Sequence, residues 1–352
     1  MKKKSVLVYG EYSGYGKSLV KGFRDLGYDA EVLSFSGDGF KKLKSGMSLN
    51  GKNKVEKLFS LLGLVPKMLR YKNILIMNPE FFNFKLLGPL ILFLFKITNK
   101  NIILLCCGDD VEFIKRGKRG EIPNWPYIDT PLPKEKYFSN ATDIFINYIV
   151  ASSAKKIIPV MYDYHKAWAL SSFAYKVTET IPLACDGNIK NIPLKNFSVE
   201  KIIIMHGINR EGFKGTEIIK KALSKIEEKY NKKVKIIYPE KLSLDEYLKI
   251  MSAADIAIDQ TKTNSYGMNA IYSMFSGHVV LAPANDLFKH NLSINNCPIL
   301  TIDNTVDSIY KQLSLLITNY NLINDLKKEN QLYASTYHSP AIIAKKISKY
   351  LN

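Results

Sequence analysis

Short apolar runs rich in valine and isoleucine alternate along the chain with segments in which apolar residues recur at helical spacing. In the first half the pattern predicts strands over 5–9, 29–35, 73–77, 101–106 and 156–160. The segments between them are long enough for crossover helices. "GKSLVKGFRDLGY" sets Leu19, Val20, Phe23 and Leu26 on one face and stops at Gly27. Strands that alternate with such helices specify a parallel, doubly wound α/β sheet. The pattern breaks over 111–133, where Pro123, Pro126, Pro131 and Pro133 stand among many charges, and this stretch reads as a long loop.

A polar stretch, "IPLACDGNIKNIPLKNFSVE", separates this half from a second series of the same kind. Strands are expected over 201–205, 233–238, 255–260 and 278–282. Helices are expected over "KGTEIIKKALSKIEEKY", over "SLDEYLKIMSAAD", which opens with Ser243 and Glu246 at capping-box spacing, and over 266–277. "SPAIIAKKISKYLN" makes a final amphipathic helix. The expectation is two Rossmann-like domains, 1–185 and 186–335, with parallel sheets facing a central cleft, and a C-terminal helix, 336–352, returning toward the N-terminal domain.

Composition narrows the partners. A chain of 352 residues with an apolar fraction of 46% can bury two cores. Cys106, Cys107, Cys185 and Cys297 form neither a CxxC pair nor a regular framework, which fits thiols in a reducing, cytoplasmic setting. The apolar run after the basic start is too short for a signal peptide. Net charge is +18, and residues 1–100 alone carry 18 Lys or Arg against 7 Asp or Glu. Such an excess calls for an anionic partner. No recognition helix, zinc-ligand spacing or aromatic ribonucleoprotein motif argues for nucleic acid. In "VEKLFSLLGLVPKMLRYK" and "FKLLGPLILFLFKI" lysines flank bulky apolar runs too short to span a bilayer, so the second could lie in the interface of an anionic membrane or form a buried helix with solvated basic ends. No ligand cluster has the spacing of a metal site, and no obligatory metal or cofactor is expected.

Gly16-Lys17-Ser18 ends like a phosphate-binding P-loop, but that loop needs glycine at the position of Glu11. A carboxylate there would repel phosphate. In the next apolar run, "NILIMNPE", Asn78 follows the apolar residues where a magnesium-binding Asp would stand. What remains is a strand, a glycine-rich turn and a helix.

"MHGINREGFKGTEIIKKAL", "ADIAIDQ" and "SYGMNAIYSMFSGHVVLA" resemble, in order and spacing, the donor domain of GT-B glycosyltransferases of the family-4-like group. The likeness extends loosely over the first half. It implies transfer of a sugar, of the hexosyltransferase kind and with retention, from a nucleotide sugar to a glycan or lipid-linked acceptor at the cytoplasmic membrane face, in glycolipid or surface polysaccharide (lipopolysaccharide or capsule) synthesis. By position, Arg210 and Lys214 would bind the donor diphosphate, beside Gly215 at a helix N-terminus. Two cations at such a terminus form an anion site on chemistry alone. Both charges are expected to be at least partly solvated. The resemblance places Gly14 and Gly16 in a turn that approaches phosphate or acceptor, and Asp109 or Asp110 where a side chain reaches the transferred sugar. The aspartates could instead cap the following turn. His206, Gly207, Asn209, Gln260, Tyr266 and Gly267 fall among the donor-binding positions, and Asp259 beside Gln260 ends a strand. For His206 a sugar-phosphate contact and a satisfied buried imidazole stand open. The family's two glutamates, eight positions apart, are Asn264 and Tyr272 here. Their loss also permits a catalytically silent protein that binds a glycan or a partner enzyme.

Overall fold

The structure, a computed structural model, describes residues 4–35, 46–49, 51–187, 195–208, 210–240, 242 and 244–352. The chain divides into two compact units. The first comprises 1–122, 132–186 and 339–352, and the second 123–131 and 187–338. The second unit therefore includes a nine-residue strap, 123–131, from within the stretch expected to belong wholly to the N-terminal domain.

In the first unit, β1 (Ser5–Tyr9), α1 (Tyr15–Asp25), β2 (Asp29–Ser34), β3 (Met47–Ser48), α2 (Lys54–Met68), β4 (Asn73–Ile76), α3 (Leu87–Ile97), β5 (Asn101–Leu104), α4 (Val111–Lys118), α5 (Ala141–Ser153), β6 (Lys156–Ile157) and α6 (Tyr162–Ala169) follow in order. The strands form one parallel sheet in the order β3-β2-β1-β4-β5-β6. β1, β4 and β5 are almost wholly buried, which is why they read as unbroken apolar runs instead of alternating ones. Apart from β1, which has its expected bounds, the predicted strands are shorter than the apolar runs that announced them, because the last residues of those runs turn into loops at the sheet's carboxyl edge. The expected loop over 111–133 begins instead with α4, which Asp110 caps through the Phe113 N–H at 2.8 Å.

The second unit contains β7 (Ile202–His206), α7 (Glu211–Lys214), α8 (Thr216–Tyr230), β8 (Val234–Ile237), α9 (Leu244–Met251), β9 (Ile256–Ile258), α10 (Met268–Phe275), β10 (Val279–Ala282), α11 (Asp286–Leu292), β11 (Leu300–Thr301), α12 (Val306–Thr318) and α13 (Asn321–Tyr337). Its sheet is parallel, in the order β11-β10-β9-β7-β8. Its core joins Ile204, Ile256, Ile258, Val279 and Leu281 of the sheet to Ile219, Leu223 and Ile226 of α8 and Leu313 and Leu316 of α12. The expected capping residue Ser243 lies outside the described residues. The last helix, α14 (Pro340–Ser348), belongs to the first unit and packs on α1. The contact is close: a Cβ on Gly22 would lie 2.1 Å from the Pro340 carbonyl oxygen.

Candidate functional site

The strand-to-helix turn after β7 carries the two predicted cations. Gly215, at φ +73, ends α7 and opens α8, and a Cβ there would lie 2.0 Å from Thr261 Oγ1, so only glycine fits. Lys214 is not solvated as expected. It is 6% exposed, and its Nζ donates to Asp259 Oδ1 at 2.9 Å. Asp259, equally buried, also accepts from Asn269 Nδ2 at 3.1 Å and from the Gly267 N–H at 3.2 Å. Burial pushes its carboxyl upward, but Lys214 and these donors outweigh that and hold it below the usual carboxylate range. The sequence could suggest Lys214 as a cation. Only the fold seats an aspartate 45 positions away against it.

Arg210 is exposed, as predicted. Its guanidinium carbon lies 3.8 Å from the centre of the Phe213 ring, and Nη2 donates to the Tyr127 hydroxyl at 2.5 Å. Tyr127 meets Phe213 edge-on at 5.6 Å. Stacking and a hydrogen bond together fix the plane of the fork. The strap makes further ties on the same side: Thr130 donates to the Gly212 carbonyl, and Lys262 Nζ reaches Asp129 at 2.6 Å. Sequence reasoning missed Tyr127. Its signal was the "NWPYID" run, aromatic residues inside an otherwise polar, proline-rich loop.

Several predicted donor-binding residues are engaged in the framework of the unit. His206 is fully buried: Nδ1 lies 3.0 Å from the Ile258 carbonyl, which can only accept, so Nδ1 carries the proton and Nε2 accepts from Thr216 Oγ1 at 2.9 Å. Burial pushes this imidazole down to about 4, so it is neutral. Gly207 is required by packing, since a Cβ would lie 2.2 Å from the Tyr247 hydroxyl. Gln260 braces its own loop through Thr263 Oγ1 and the Ser265 carbonyl. Asn264 is fully buried, donating to the Pro123 carbonyl at 2.6 Å and accepting from Asn124 and Asn285. Tyr266 shares its buried hydroxyl with Tyr333 and His338 Nε2, each at 2.9 Å. Tyr272 lies half-buried on α10. Asn209 lies outside the described residues.

In the first unit the glycine-rich turn is filled from within. Glu11 Oε1 accepts from the Gly14 and Gly16 N–H groups at 2.9 and 3.2 Å, and Oε2 from the Lys17 N–H at 2.7 Å. The carboxylate that disqualifies the P-loop thus occupies the anion position at the start of α1. The amides of Gly14 and Gly16, expected to face phosphate, are bonded to this side chain. Ser18 is buried and bonds the Gly14 carbonyl at 2.7 Å. Asn78 donates to the Cys107 and Asp109 carbonyls and ties the ends of two strands together.

Of the aspartate pair, Asp110 is structural. Besides capping α4 it accepts from Trp168 Nε1 at 2.8 Å, and burial pushes its carboxyl up to about 7. Asp109 accepts from the Tyr137 hydroxyl at 3.0 Å. The hydroxyl of Tyr12, in the glycine-rich turn, donates to Glu80. Glu80 closes the "NPE" run, in which the sequence singles out only Asn78.

The chain matches no protein-family model and no curated protein. Its fold does match solved structures. Anabaena HepE in complex with UDP-glucose aligns at a TM-score of 0.63 with 14% identity over 98% of each chain. Sucrose-phosphate synthase from Thermosynechococcus elongatus aligns at 0.62 with 12% identity, over 99% of this chain and 98% of that one. The UDP-GlcNAc 2-epimerase of Neisseria meningitidis bound to UDP-GlcNAc aligns at 0.51 with 11% identity over 98% of each chain. The fold is of the GT-B type.

Proposed function

We propose that the protein is a glycosyltransferase that moves a sugar from a nucleotide-sugar donor to a glycan or lipid-linked acceptor. The observation that carries this reading is the turn after β7. Arg210 is exposed with its fork oriented by Tyr127 and Phe213, Lys214 follows four residues later at the end of α7, and Gly215 leads into α8. Negative charge grows on a departing nucleoside diphosphate as the glycosidic bond breaks, and a guanidinium at a helix N-terminus stabilises it more in the transition state than in the ground state. Lys214 is already balanced by Asp259, so its part is to fix the turn and to share its ammonium with the phosphate. Structures of the same fold hold UDP-glucose and UDP-GlcNAc, which supports a uridine nucleotide sugar as donor. The family likeness supports transfer with retention, in glycolipid or surface polysaccharide synthesis.

A peripheral position on an anionic membrane belongs to the same reading. The first unit exposes Val55, Leu58, Phe59 and Leu62 along α2, and Leu86, Leu90, Phe93 and Ile97 along α3, with exposed Lys67, Lys85 and Lys96 on the same segments. Apolar rows bordered by lysines suit a lipid interface. Among the described residues no helix is long and apolar enough to cross a membrane. Sedimentation with anionic vesicles, reversed by salt, tests this part separately.

The burial of Asn264 favours one second reading, a silent fold that binds a glycan or a partner enzyme, because the residue at the first glutamate position is drawn into hydrogen bonds with Pro123 and Asn285 of its own unit. A thermal-shift panel of nucleoside diphosphates and nucleotide sugars decides between the two. Protection by a uridine nucleotide, followed by sugar transfer in a product assay, supports the transferase. Absence of protection by any nucleotide overturns it.

A further inference from the structure

Beside the strap, the second unit holds an open pocket of about 160 Å³ at the carboxyl ends of β9, β10 and β11. Trp125 forms one wall, and Asn124, Asp129, Lys262, Asn285 and Asp303 supply polar atoms around it. The cavity adjoins the candidate diphosphate turn, because Thr261, which also lines it, donates its N–H to the Lys214 carbonyl at 3.1 Å.

The lining selects among ligand classes. One lysine stands against two aspartates, and that lysine is already paired with Asp129, so an anion would meet a net negative wall. An apolar ligand would leave amides, carboxylates and hydroxyls without partners on desolvation. A whole nucleotide sugar would extend out of the pocket's open mouth, whereas the pocket's volume matches a single ring. Among the described residues no group of three or more His, Cys, Asp or Glu side chains could hold a metal ion. A neutral polyhydroxyl ring meets every condition: its hydroxyls both donate to carboxylates and accept from amides, and its C–H face packs on an aromatic wall. We propose that this cavity binds a neutral sugar ring, with Trp125 as its aromatic wall and Asp303 as a hydrogen-bond acceptor. The inference rests on the transferase reading only for the source of that sugar, which is either the donor's glycosyl group or the end of an acceptor glycan.

The chain has two tryptophans, and Trp168 is fully buried in the first unit, so a ligand-induced change in intrinsic fluorescence reports on Trp125. The full chain is titrated with D-glucose, D-galactose and N-acetyl-D-glucosamine, and in parallel with UDP and UDP-glucose. At least one free sugar should give a saturable change that Trp125→Phe abolishes. Asp303→Ala, an exposed position, should weaken that sugar about tenfold, the loss expected for a hydrogen bond to a charged group. UDP should protect the parent and Asp303→Ala equally against heat. Competition between the free sugar and UDP-glucose assigns the cavity to the donor's sugar, and simultaneous binding assigns it to the acceptor. A change that is only linear in sugar concentration, or that persists in Trp125→Phe, overturns the site. If UDP protects and no sugar binds, the cavity proposal falls while the transferase reading stands. Sugar binding without protection by UDP has the reverse meaning.

Discussion

The first strand-to-helix turn of each unit is built from the same parts, and the two have opposite electrostatic ends. After β1, the turn folds around its own carboxylate, and Glu11 takes three N–H groups at the start of α1. After β7, the turn keeps an exposed arginine and a lysine at the start of α8 and places the matching carboxylate, Asp259, on another strand end. The comparison teaches that a glycine-rich turn at a helix N-terminus fixes the site for an anion without fixing whose anion it is. In the first unit the sequence supplies it locally. The second unit leaves Arg210 facing outward.

The comparison breaks most severely at the buried pair. Lys214→Ala removes one partner and leaves Asp259 charged in the interior, which should cost about 3 to 5 kcal/mol of stability in urea unfolding as well as activity. Arg210→Ala should instead lose transfer by a hundred- to thousandfold, about 2.7 to 4 kcal/mol in the transition state, with its melting temperature kept. Arg210→Lys should recover little, because a point charge cannot reproduce the fork held by Tyr127 and Phe213. Parent-like turnover in Arg210→Ala would remove the turn after β7 from the mechanism.

A smaller effect is set by pH. His206 titrates near 4 in the folded chain and near 6.5 when unfolded, so the folded state favours its neutral form. The stability this contributes is complete above 6.5 and is lost as pH falls toward 4, by roughly 3 kcal/mol. Unfolding free energies measured across that window should show the loss, and His206→Gln should flatten it. Smallest is the unmasking of the first turn. Glu11→Ala should cost about 1 to 2 kcal/mol for the released N–H groups. Inorganic phosphate should then raise the melting temperature of the variant by more than that of the parent, since the turn after β7 is the same in both. A parent that responds equally would mean that Glu11 does not fill the cradle in solution.

Legibility differed by kind of feature. Every predicted strand has a counterpart within a few residues, because buried parallel strands must be apolar on both faces and announce themselves as continuous runs. α4 was hidden because its eight residues carry charges at four positions and stand before a proline-rich stretch. In the site, Arg210 and Lys214 were legible from their spacing to Gly215. The roles of His206, Asn264, Tyr266 and Asp110 were not, since whether a polar side chain faces a ligand or a neighbour depends on residues far away in sequence. Asp110 finds Trp168 and Tyr266 finds His338 only when helices pack.

The sequence by itself determined the two parallel sheets, the order of their elements, and the residues able to surround an anion after β1 and β7, because local periodicity, glycine positions and charge spacing are properties of neighbours along the chain. Tertiary structure decided which of those groups remain available. Glu11 needed only its own turn to close the first cradle. Folding at long range balanced Lys214 with Asp259, drew Tyr127 from the strap onto Arg210, and enclosed His206 between β9 and α8. A buried polar group must find a partner wherever the packed chain offers one, and no local pattern specifies that partner.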